Sequence, residues 1–299
     1  MAIPLAVTRP AYLAPDVLPF FKALADETRL TILRLLALTD LKSGEIVEQV
    51  GVPQNAVSYH LKQLRALGLL RDRRSSADAR DVYYNLDLDR LQALYAATGA
   101  ALQIPVLPLP IAVDEEKSVD GEPHPDLDRP LRVLFLCTHN SARSQLAEGI
   151  MRCLGGDAVE VYSAGSAPTA VHPIALTLLR RWDDDPARYT SKSLDLFVGQ
   201  RFDYIITVCD RVRDGCPVFP DDPVRIHWSF PDPALVEDSD AQARAFHTVQ
   251  RELCTRIRYL LTCKHPVTGR RLPVRSLVRA EIETTHGRED ETGGATLCN

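Results

Sequence analysis

One stretch, residues 131–145, constrains the fold of this chain more than any other. Its sequence LRVLFLCTHNSARSQ begins with an apolar run, Leu131 to Leu136, which predicts a buried parallel strand. Cys137 follows the run directly, Arg143 lies six residues later, and SQLAEGIMRCL then has helical spacing. The stretch therefore predicts a strand, a short loop and a helix in immediate succession.

The loop between this strand and helix is suited to hold an oxyanion. Backbone N–H groups at a helix N-terminus converge on one point, where the helix dipole also favours negative charge. There the thiolate of Cys137 is stabilised, and Arg143 can fork onto two oxygens of a tetrahedral anion. We interpret Cys137 as a nucleophile rather than as a cysteine that merely packs at a strand end. The predicted oxyanion-binding loop consists of Thr138, His139, Asn140, Ser141, Ala142 and Arg143.

The residues after this loop continue to alternate between strand and helix patterns. Further elements are predicted at 158–166, 171–182, 201–210, 224–228 and 240–261. This order predicts an α/β domain with a four-stranded parallel sheet over residues 131–263. Functional side chains of such a sheet lie at the carboxyl ends of the strands, where the sequence places Cys209 and Asp232.

Two further cysteines, Cys209 and Cys216, lie seven residues apart in TVCDRVRDGCPVFP. In a chain with a separate nucleophilic cysteine, this spacing predicts a resolving pair on a mobile segment, for which Gly215 and Pro217 are suited. The total of seven cysteines is odd and does not fit a secreted disulfide framework. No apolar run reaches membrane-spanning length, so we expect a cytoplasmic protein without membrane partners.

The N-terminal third has the pattern of a DNA-binding domain. Helical spacing to residue 38 is followed by SGEIVEQVG and by PQNAVSYHLKQLRALG, which predict a helix-turn-helix, and two strand-like runs around SSADAR predict a β-hairpin wing. Residues 53–74 hold five lysines and arginines against one acidic residue, so this face is basic although the formal net charge of the chain is −5. The predicted DNA contacts are Gln54, Asn55, Ser58, Tyr59, Lys62, Arg65, Arg73 and Arg74.

Residues 101–130 separate the two patterned regions. They contain six prolines, and seven acidic against two basic side chains. Such a segment should stay extended and keep the flanking domains apart. The predicted organisation is an N-terminal arm over 1–15, a mainly α winged helix-turn-helix domain over 16–100, an acidic proline-rich linker over 101–130, the α/β domain over 131–263 and a flexible tail over 264–299.

The N-terminal pattern resembles a known family of regulators. FKALADETRLTILRLL, the helix-turn-helix and the wing resemble the winged-helix repressors of the arsenic-repressor (ArsR/SmtB-type) family. The resemblance implies a homodimer through this domain, which places the helix after Pro53 in the major groove of operator DNA. Arsenic-sensing members often carry cysteine pairs near the helix-turn-helix, whereas residues 1–136 contain no cysteine, so we expect no metal site in them.

The C-terminal pattern resembles a family of enzymes. CTHNSARSQLAEG, the second cysteine pair and HWSFPDPA are similar to the thioredoxin-coupled arsenate reductases built on the low-molecular-weight tyrosine phosphatase fold. The resemblance implies that Cys137 attacks arsenate, that Asp232 protonates the departing oxygen, and that a disulfide passes through Cys209 and Cys216 to thioredoxin.

The same resemblance implies two further groups of residues and no tightly bound cofactor. Asn140 and Ser144 match positions that order the loop and hydrogen-bond the nucleophile. A possible potassium site is formed by Asn140, Glu148, Ser163 and Asp195.

Two alternatives remain open at this point. In one, the chain is a transcriptional regulator whose phosphatase-like domain only senses arsenic or an oxyanion. In the other, it is a tyrosine phosphatase. Phosphatases of this fold lack the cysteine pair and usually carry tyrosines after their Asp-Pro, where this chain has Ala234 and Leu235. We therefore favour the reductase. Because the repressor domain contains no cysteine, we expect the cysteines of the reductase domain to act as its chemical sensor.

Overall fold

The computed structural model describes residues 16–101, 129–182 and 185–263. The predicted N-terminal arm, most of the predicted linker and the predicted flexible tail lie outside these described residues. We call residues 16–101 the N-terminal part and residues 129–263 the C-terminal part.

The N-terminal part combines helices with a small antiparallel sheet. Its elements in chain order are α1 (Val17–Leu24), α2 (Glu27–Leu38), β1 (Leu41–Lys42), α3 (Ser43–Val50), α4 (Gln54–Ala66), β2 (Leu70–Arg74), β3 (Val82–Leu86) and α5 (Leu88–Ala101). The strands pair in the order β1-β3-β2. We call β2, β3 and the loop 75–81 the wing. The predicted helix-turn-helix is confirmed, whereas the two-residue strand β1 was not predicted.

Local signals in the sequence set the bounds of the helix-turn-helix. Helix α3 ends at Gly51, whose φ of 72° lies in the left-handed region that favours glycine. Pro53 directly precedes α4. Proline is suited to this position, because an N–H at the start of a helix has no acceptor within the helix, and proline lacks the N–H. Val57, Leu61 and Leu64 turn one face of α4 into the core. The opposite face is therefore left for contacts outside the fold.

The C-terminal part is a parallel sheet covered by helices. Its strands and α-helices in chain order are β4 (Leu131–Cys137), α6 (Arg143–Gly155), β5 (Val159–Gly165), α7 (Pro173–Leu179), β6 (Tyr204–Thr207), α8 (Asp210–Asp214), β7 (Val224–His227) and α9 (Ser239–Thr262). All neighbouring strands are parallel, in the order β5-β4-β6-β7. The predicted four-stranded parallel sheet is confirmed. Across the described residues, no helix is both long and apolar enough to cross a membrane.

Strand β4 lies at the centre of the C-terminal core. Its Leu134, Phe135 and Leu136 are fully buried, because helices cover both faces of a parallel sheet. Burying each such side chain contributes about 2 kcal/mol. The strand is therefore a rigid support for the residue at its carboxyl end, Cys137.

The two parts of the chain contact each other, so the expectation that the linker keeps them apart is wrong. Strand β7 lies at the edge of its sheet, and edge strands leave backbone groups without a partner strand. The N–H of Asp40 donates to the carbonyl of His227 at 2.7 Å, and the indole of Trp228 donates to the carbonyl of Leu38 at 2.9 Å. The buried carboxylate of Asp40 accepts from Arg256 at 2.8 Å. The segment after α2 therefore caps the edge of the larger sheet.

Candidate active site

Cys137 is buried at the carboxyl end of β4, among groups that can stabilise a thiolate. Its Sγ lies 2.9 Å from Ser144 Oγ and accepts a hydrogen bond from the N–H of Asn140 at 3.1 Å. Burial raises the pKa of the Cys137 thiol, and the positive charge of Arg143 and the hydrogen bonds from Ser144 oppose that rise. The groups that the sequence predicts are thus in place, but desolvation outweighs them.

The loop after Cys137 is oriented by the neighbouring segment 166–172. N–H groups of that segment donate to the carbonyls of Thr138, His139 and Ser141, at 2.8, 3.0 and 2.9 Å. In a trans peptide the C=O and the following N–H point in opposite directions. The N–H groups that follow these three carbonyls therefore point away from segment 166–172, and that of Asn140 points at Cys137, which is the arrangement expected for binding an oxyanion.

Asn140 is the structural centre of this loop. Its φ of 47° is in the left-handed region, which costs a residue with a Cβ about 1–2 kcal/mol. Its amide donates to Ser144 Oγ and Ser163 Oγ, both at 2.8 Å, and its Oδ1 accepts from the N–H of Lys192 at 2.8 Å and from Gln145 Nε2 at 3.0 Å. These bonds hold the strained backbone. Sequence reasoning missed Gln145, whose only signal is a polar residue at a buried helical position.

Gly165, at the end of β5, lies directly beneath the loop. A Cβ at this position would lie 2.6 Å from the carbonyl oxygen of Thr138 and 2.8 Å from the backbone nitrogen of Asn140. No side chain fits at those distances. The close approach of β5 to the loop therefore requires glycine.

Arg143 and Asp232 meet beside the loop. Arg143 is the first residue of α6, and its guanidinium donates to Asp232 Oδ2 at 2.5 Å and to the carbonyl of Phe230 at 3.0 Å. The second oxygen of Asp232 accepts from the N–H of Ala234 at 3.2 Å. The structure thus brings the predicted acid, Asp232, to the predicted nucleophile and anion-binding arginine, which lie together some 90 residues earlier in the sequence. A tetrahedral oxyanion entering the loop would compete with Asp232 for the guanidinium.

The two remaining predicted cysteines lie on either side of α8. Cys209 is buried, and its Sγ lies 3.4 Å from the hydroxyl of Thr138 in the oxyanion-binding loop. Cys216 follows the end of α8 and is half-buried. Burial raises the pKa of the Cys216 thiol, against a smaller lowering by Arg225. The structure brings Cys209 to the loop and leaves a helix between it and Cys216.

The contacts do not support the predicted potassium site. Asn140 is linked through Ser163 to Glu148, whose Oε2 accepts from Ser163 Oγ at 2.5 Å, but the ammonium of Lys192 lies 3.3 Å from the same oxygen. Asp195 instead accepts a hydrogen bond from the serine two residues before it, at 3.1 Å. A fixed ammonium already supplies the positive charge. Among the described residues, no cluster of three or more Cys, His or acidic side chains could hold a metal ion.

The predicted DNA contacts divide between two surfaces. The exposed ones are Gln54, Asn55, Ser58, Tyr59, Lys62 and Arg65 along α4, and Arg74 in the wing. Arg73 is different, because its guanidinium lies 2.8 and 2.6 Å from the two oxygens of Asp210 in the C-terminal part. The prediction that Arg73 contacts DNA is therefore not supported in this arrangement, since its Nη2 donates to this buried carboxylate and its Nε donates to the carbonyl of Ser229 at 3.2 Å.

Each of the two parts of the chain is similar to a known protein family. Residues 26–72 match the family model for bacterial regulatory proteins of the arsR family, and residues 132–266 match that for low molecular weight phosphotyrosine protein phosphatases. An arsenate reductase from Halalkalibacterium halodurans is 39% identical over 127 residues, which cover 42% of this chain and 91% of that protein. The C-terminal part belongs to the arsenate reductase family.

Further relatives of this reductase-family domain are similar over the same region. Arsenate reductase 1 from Staphylococcus saprophyticus is 37% identical over 110 residues, which cover 37% of this chain and 84% of that protein. A solved thioredoxin-dependent arsenate reductase from Corynebacterium glutamicum is 24% identical to this chain, with a TM-score of 0.36, over a region that covers 77% of this chain and 94% of that protein. One chain thus joins an arsR-family helix-turn-helix domain to an arsenate-reductase-family domain.

Proposed function

We propose that this chain is a bifunctional arsenic-resistance protein, in which a DNA-binding transcriptional repressor is fused to an arsenate reductase. One observation carries the proposal. Cys137 accepts a hydrogen bond from the N–H of Asn140 at the start of the loop that ends at Arg143, which pairs with Asp232, and a second thiol, Cys209, contacts Thr138 of the same loop. A nucleophile, an anion-binding cation, an acid and an electron donor therefore converge on one position.

The first half of the reaction forms a bond from sulfur to arsenic. Arsenate is tetrahedral like phosphate and binds to the loop N–H groups and to Arg143, which it displaces from Asp232. The thiolate of Cys137, accepting a hydrogen bond from Ser144, attacks arsenic. Asp232 delivers a proton to the departing oxygen, which leaves as water.

The second half transfers two electrons to arsenic. Cys209 attacks the sulfur of Cys137, so the disulfide forms, the sulfur–arsenic bond breaks, and its electron pair stays on arsenic, which leaves as arsenite. Cys216 then attacks Cys209 and frees Cys137. Thioredoxin, the external reductant, reduces the resulting disulfide between Cys209 and Cys216. The 3.4 Å separation between Cys209 Sγ and the loop residue Thr138 supports the order of these steps.

A coupled assay with the full chain tests the reductase. With thioredoxin, its reductase and NADPH, arsenate should cause NADPH oxidation, which Cys137→Ser and Cys209→Ser abolish. Cys216→Ser should release a single arsenite per chain without turnover, because its disulfide stops between Cys137 and Cys209. Cys254→Ser, a half-buried cysteine outside the site, is the matched control. The proposal fails if arsenate causes no NADPH oxidation with the parent chain and Cys209→Ser gives the same result as the parent.

The phosphatase alternative is less well supported. Hydrolysis of a phosphate ester consumes no electrons and so does not require the second thiol, Cys209, and the exposed residue after Ala234 is Leu235 rather than an aromatic side chain. Assays with p-nitrophenyl phosphate separate the two activities. Rapid hydrolysis without any turnover of arsenate would favour the phosphatase. Arsenite or arsenate binding without either reaction would favour the sensor.

The exposed face of α4 supports the DNA-binding activity. Polar and basic side chains line the face that points away from the core, and Tyr59 is 57% exposed. In a gel-shift assay with DNA from upstream of the chain's own coding sequence, Tyr59→Ala and Lys62→Ala should weaken binding. Gln242→Ala, on α9, should leave it unchanged. A complex that both substitutions on α4 left intact would exclude this face.

The homodimer that the resemblance implies has a matching surface. Leu18 and Phe21 on α1 and Tyr95 on α5 are 60%, 42% and 65% exposed, and large apolar side chains concentrated on one surface favour association. Sedimentation of the full chain should give twice the monomer mass, reduced by Leu18→Glu. A purely monomeric parent would contradict this part of the proposal.

A further inference from the structure

The carboxylate of Asp210, next in sequence to Cys209, is fully buried at the start of α8. Within the C-terminal part it accepts a hydrogen bond from Ser229 Oγ at 2.7 Å and lies 3.2 Å from His227 Nε2. Burial raises the pKa of Asp210, but the hydrogen bonds to it and the charge of Arg73 together hold that pKa well below the usual range. Asp210 is thus a buried negative charge that depends on its partners.

The wing supplies half of those partners. Arg73 contacts both oxygens of Asp210, and Ser76 donates its N–H at 2.7 Å and its hydroxyl at 2.9 Å to one of them. Near the other end of α8, Arg213 donates to Glu45 in α3 at 2.5 Å. Side chains of the N-terminal part therefore hold both ends of the helix that lies between Cys209 and Cys216.

The wing also has contacts that do not involve α8. Strands β2 and β3 pair over five residues each, and Lys42 beside them forms a 2.6 Å ion pair with Asp81 at the end of the wing loop. A movement of α8 therefore does not have to carry the wing with it.

Cys209 and Cys216 cannot form a disulfide while α8 is intact. A helix rises by about 1.5 Å per residue, so Asp210–Asp214 alone add about 7.5 Å along the chain between the two cysteines. A disulfide requires Cα atoms about 4.4–6.8 Å apart. Forming it must unwind or refold α8, and Asp210 as the first residue of that helix moves with it.

We propose that Arg73 and Ser76 are positioning residues for the relay, which hold α8 in its dithiol conformation through Asp210, so that forming the Cys209–Cys216 disulfide also releases the wing. The inference rests on the proposed roles of the two cysteines. In turnover the oxidant for this step is the Cys137–Cys209 disulfide: Cys216 attacks Cys209, the bond from Cys209 to Cys137 breaks, and Cys137 leaves as a thiolate. Freed donors on the wing then match DNA phosphates, so the redox state of the reductase is transmitted to the DNA-binding part.

The equilibrium between dithiol and disulfide tests the positioning role. In the full chain with Cys137→Ser, the Cys209–Cys216 couple is set with mixtures of reduced and oxidised dithiothreitol and read by alkylation and mass spectrometry. Contacts made only in the dithiol favour it, so Arg73→Gln should lower the dithiol-to-disulfide ratio roughly tenfold at a fixed mixture.

Arg71→Gln is the matched control. Arg71 lies on the same strand and also crosses to the C-terminal part, where it donates to Glu252 at 3.0 Å, but it does not contact α8. Its substitution should change the ratio by less than about twofold. An equal shift in both variants, or none with Arg73→Gln, overturns the proposal.

Hydrogen exchange in the parent chain supplies a test that needs no substitution. The N–H of Ser76 loses its acceptor when Asp210 moves, so this N–H should exchange roughly tenfold faster in the disulfide form than in the dithiol form. The N–H of Asp81, which donates to the carbonyl of Asp78 within the wing, should exchange at the same rate in both forms. Unchanged exchange overturns the coupling. Because diamide or dithiothreitol sets the redox state without arsenate, a failure of arsenate turnover would count against the proposed function alone.

Discussion

The oxyanion-binding loop follows Cys137, and helix α8 lies between Cys209 and Cys216, but the two elements are held in opposite ways. The loop is fixed by its own part of the chain, through Asn140 at its centre and Gly165 beneath it. Helix α8 is five residues long and depends on Arg73 and Ser76 from the wing. A nucleophile that must bind an anion in one geometry benefits from fixed surroundings, whereas a relay that must change shape in each cycle needs contacts that can be released.

The largest effect should come from Gly165→Ala at the loop, and the matched substitution beside α8, Gly215→Ala, should have little effect. Gly165→Ala places a Cβ against the backbone of Thr138 and Asn140, and a displacement of the loop by about 1 Å costs roughly 100-fold in kcat/KM. Gly215→Ala, after α8, meets nothing within 4 Å and should reduce kcat/KM by less than about threefold. Steady-state arsenate reduction measures both. Similar losses in the two variants would remove the contrast between the regions.

The next effect concerns the anchor of α8. Asp210→Asn leaves Arg73 without its charged partner and should lower the free energy of unfolding by about 3 kcal/mol at neutral pH. Folding lowers the pKa of Asp210, so the ionised carboxylate stabilises the folded state fully at pH values above its pKa in the unfolded chain, about 4. This stabilisation is lost as the pH falls towards the lower pKa of Asp210 in the folded state.

Urea denaturation at several pH values measures this anchor. The gap between the parent and Asp210→Asn should narrow from pH 6 to pH 3, while the exposed control Asp195→Asn changes little at either pH. A gap that stayed constant with pH would show that the ionised carboxylate is not the stabilising species.

A smaller effect is expected at the nucleophile itself. Ser144→Ala removes a hydrogen bond that favours the thiolate of Cys137, so the already raised pKa of the thiol should rise further. Alkylation of Cys137 by iodoacetamide at pH 7 should slow by roughly threefold to tenfold, since the thiolate is the reactive form. Alkylation of Cys216 in the same sample is the internal control. Faster modification of Cys137 would indicate that access, not ionisation, limits the rate.

The sequence is informative where burial leaves a local pattern. The apolar run of β4 and the spaced leucines of α4 predict their elements because each buries one face or both over many residues. Strand β1 has two residues and pairs with β3 some forty positions later, and α8 is too short for a helical period. Neither leaves such a pattern.

The same limit separates the predicted and missed residues of the site. Cys137 and Arg143 are close in sequence, so their spacing alone suggests a shared function. Arg73 and Asp210 are 137 positions apart, and residue type does not reveal whether an arginine faces a phosphate or a buried carboxylate. The composition of the acidic linker likewise predicts that the linker is extended. It does not predict that Asp40 in the N-terminal part pairs with Arg256 in the C-terminal part.

The smallest expected effect lies at Lys192, which serves the loop twice. Its N–H holds Asn140, and its ammonium lies 3.3 Å from Glu148, which also pairs with Arg152 at 2.5 Å. Lys192→Met keeps the backbone bond and removes only the charge, so the free energy of unfolding should fall by about 1 kcal/mol. If the ammonium supplies the positive charge there, parent activity should be equal in potassium and sodium chloride, and Lys192→Met should recover better in potassium. Lys62→Met, which removes a lysine far from the loop, is the control and should have the same activity as the parent in both salts. If the parent itself needed potassium for activity, the ammonium of Lys192 would not fill this position. The loop would then depend on an ion from outside its own part of the chain.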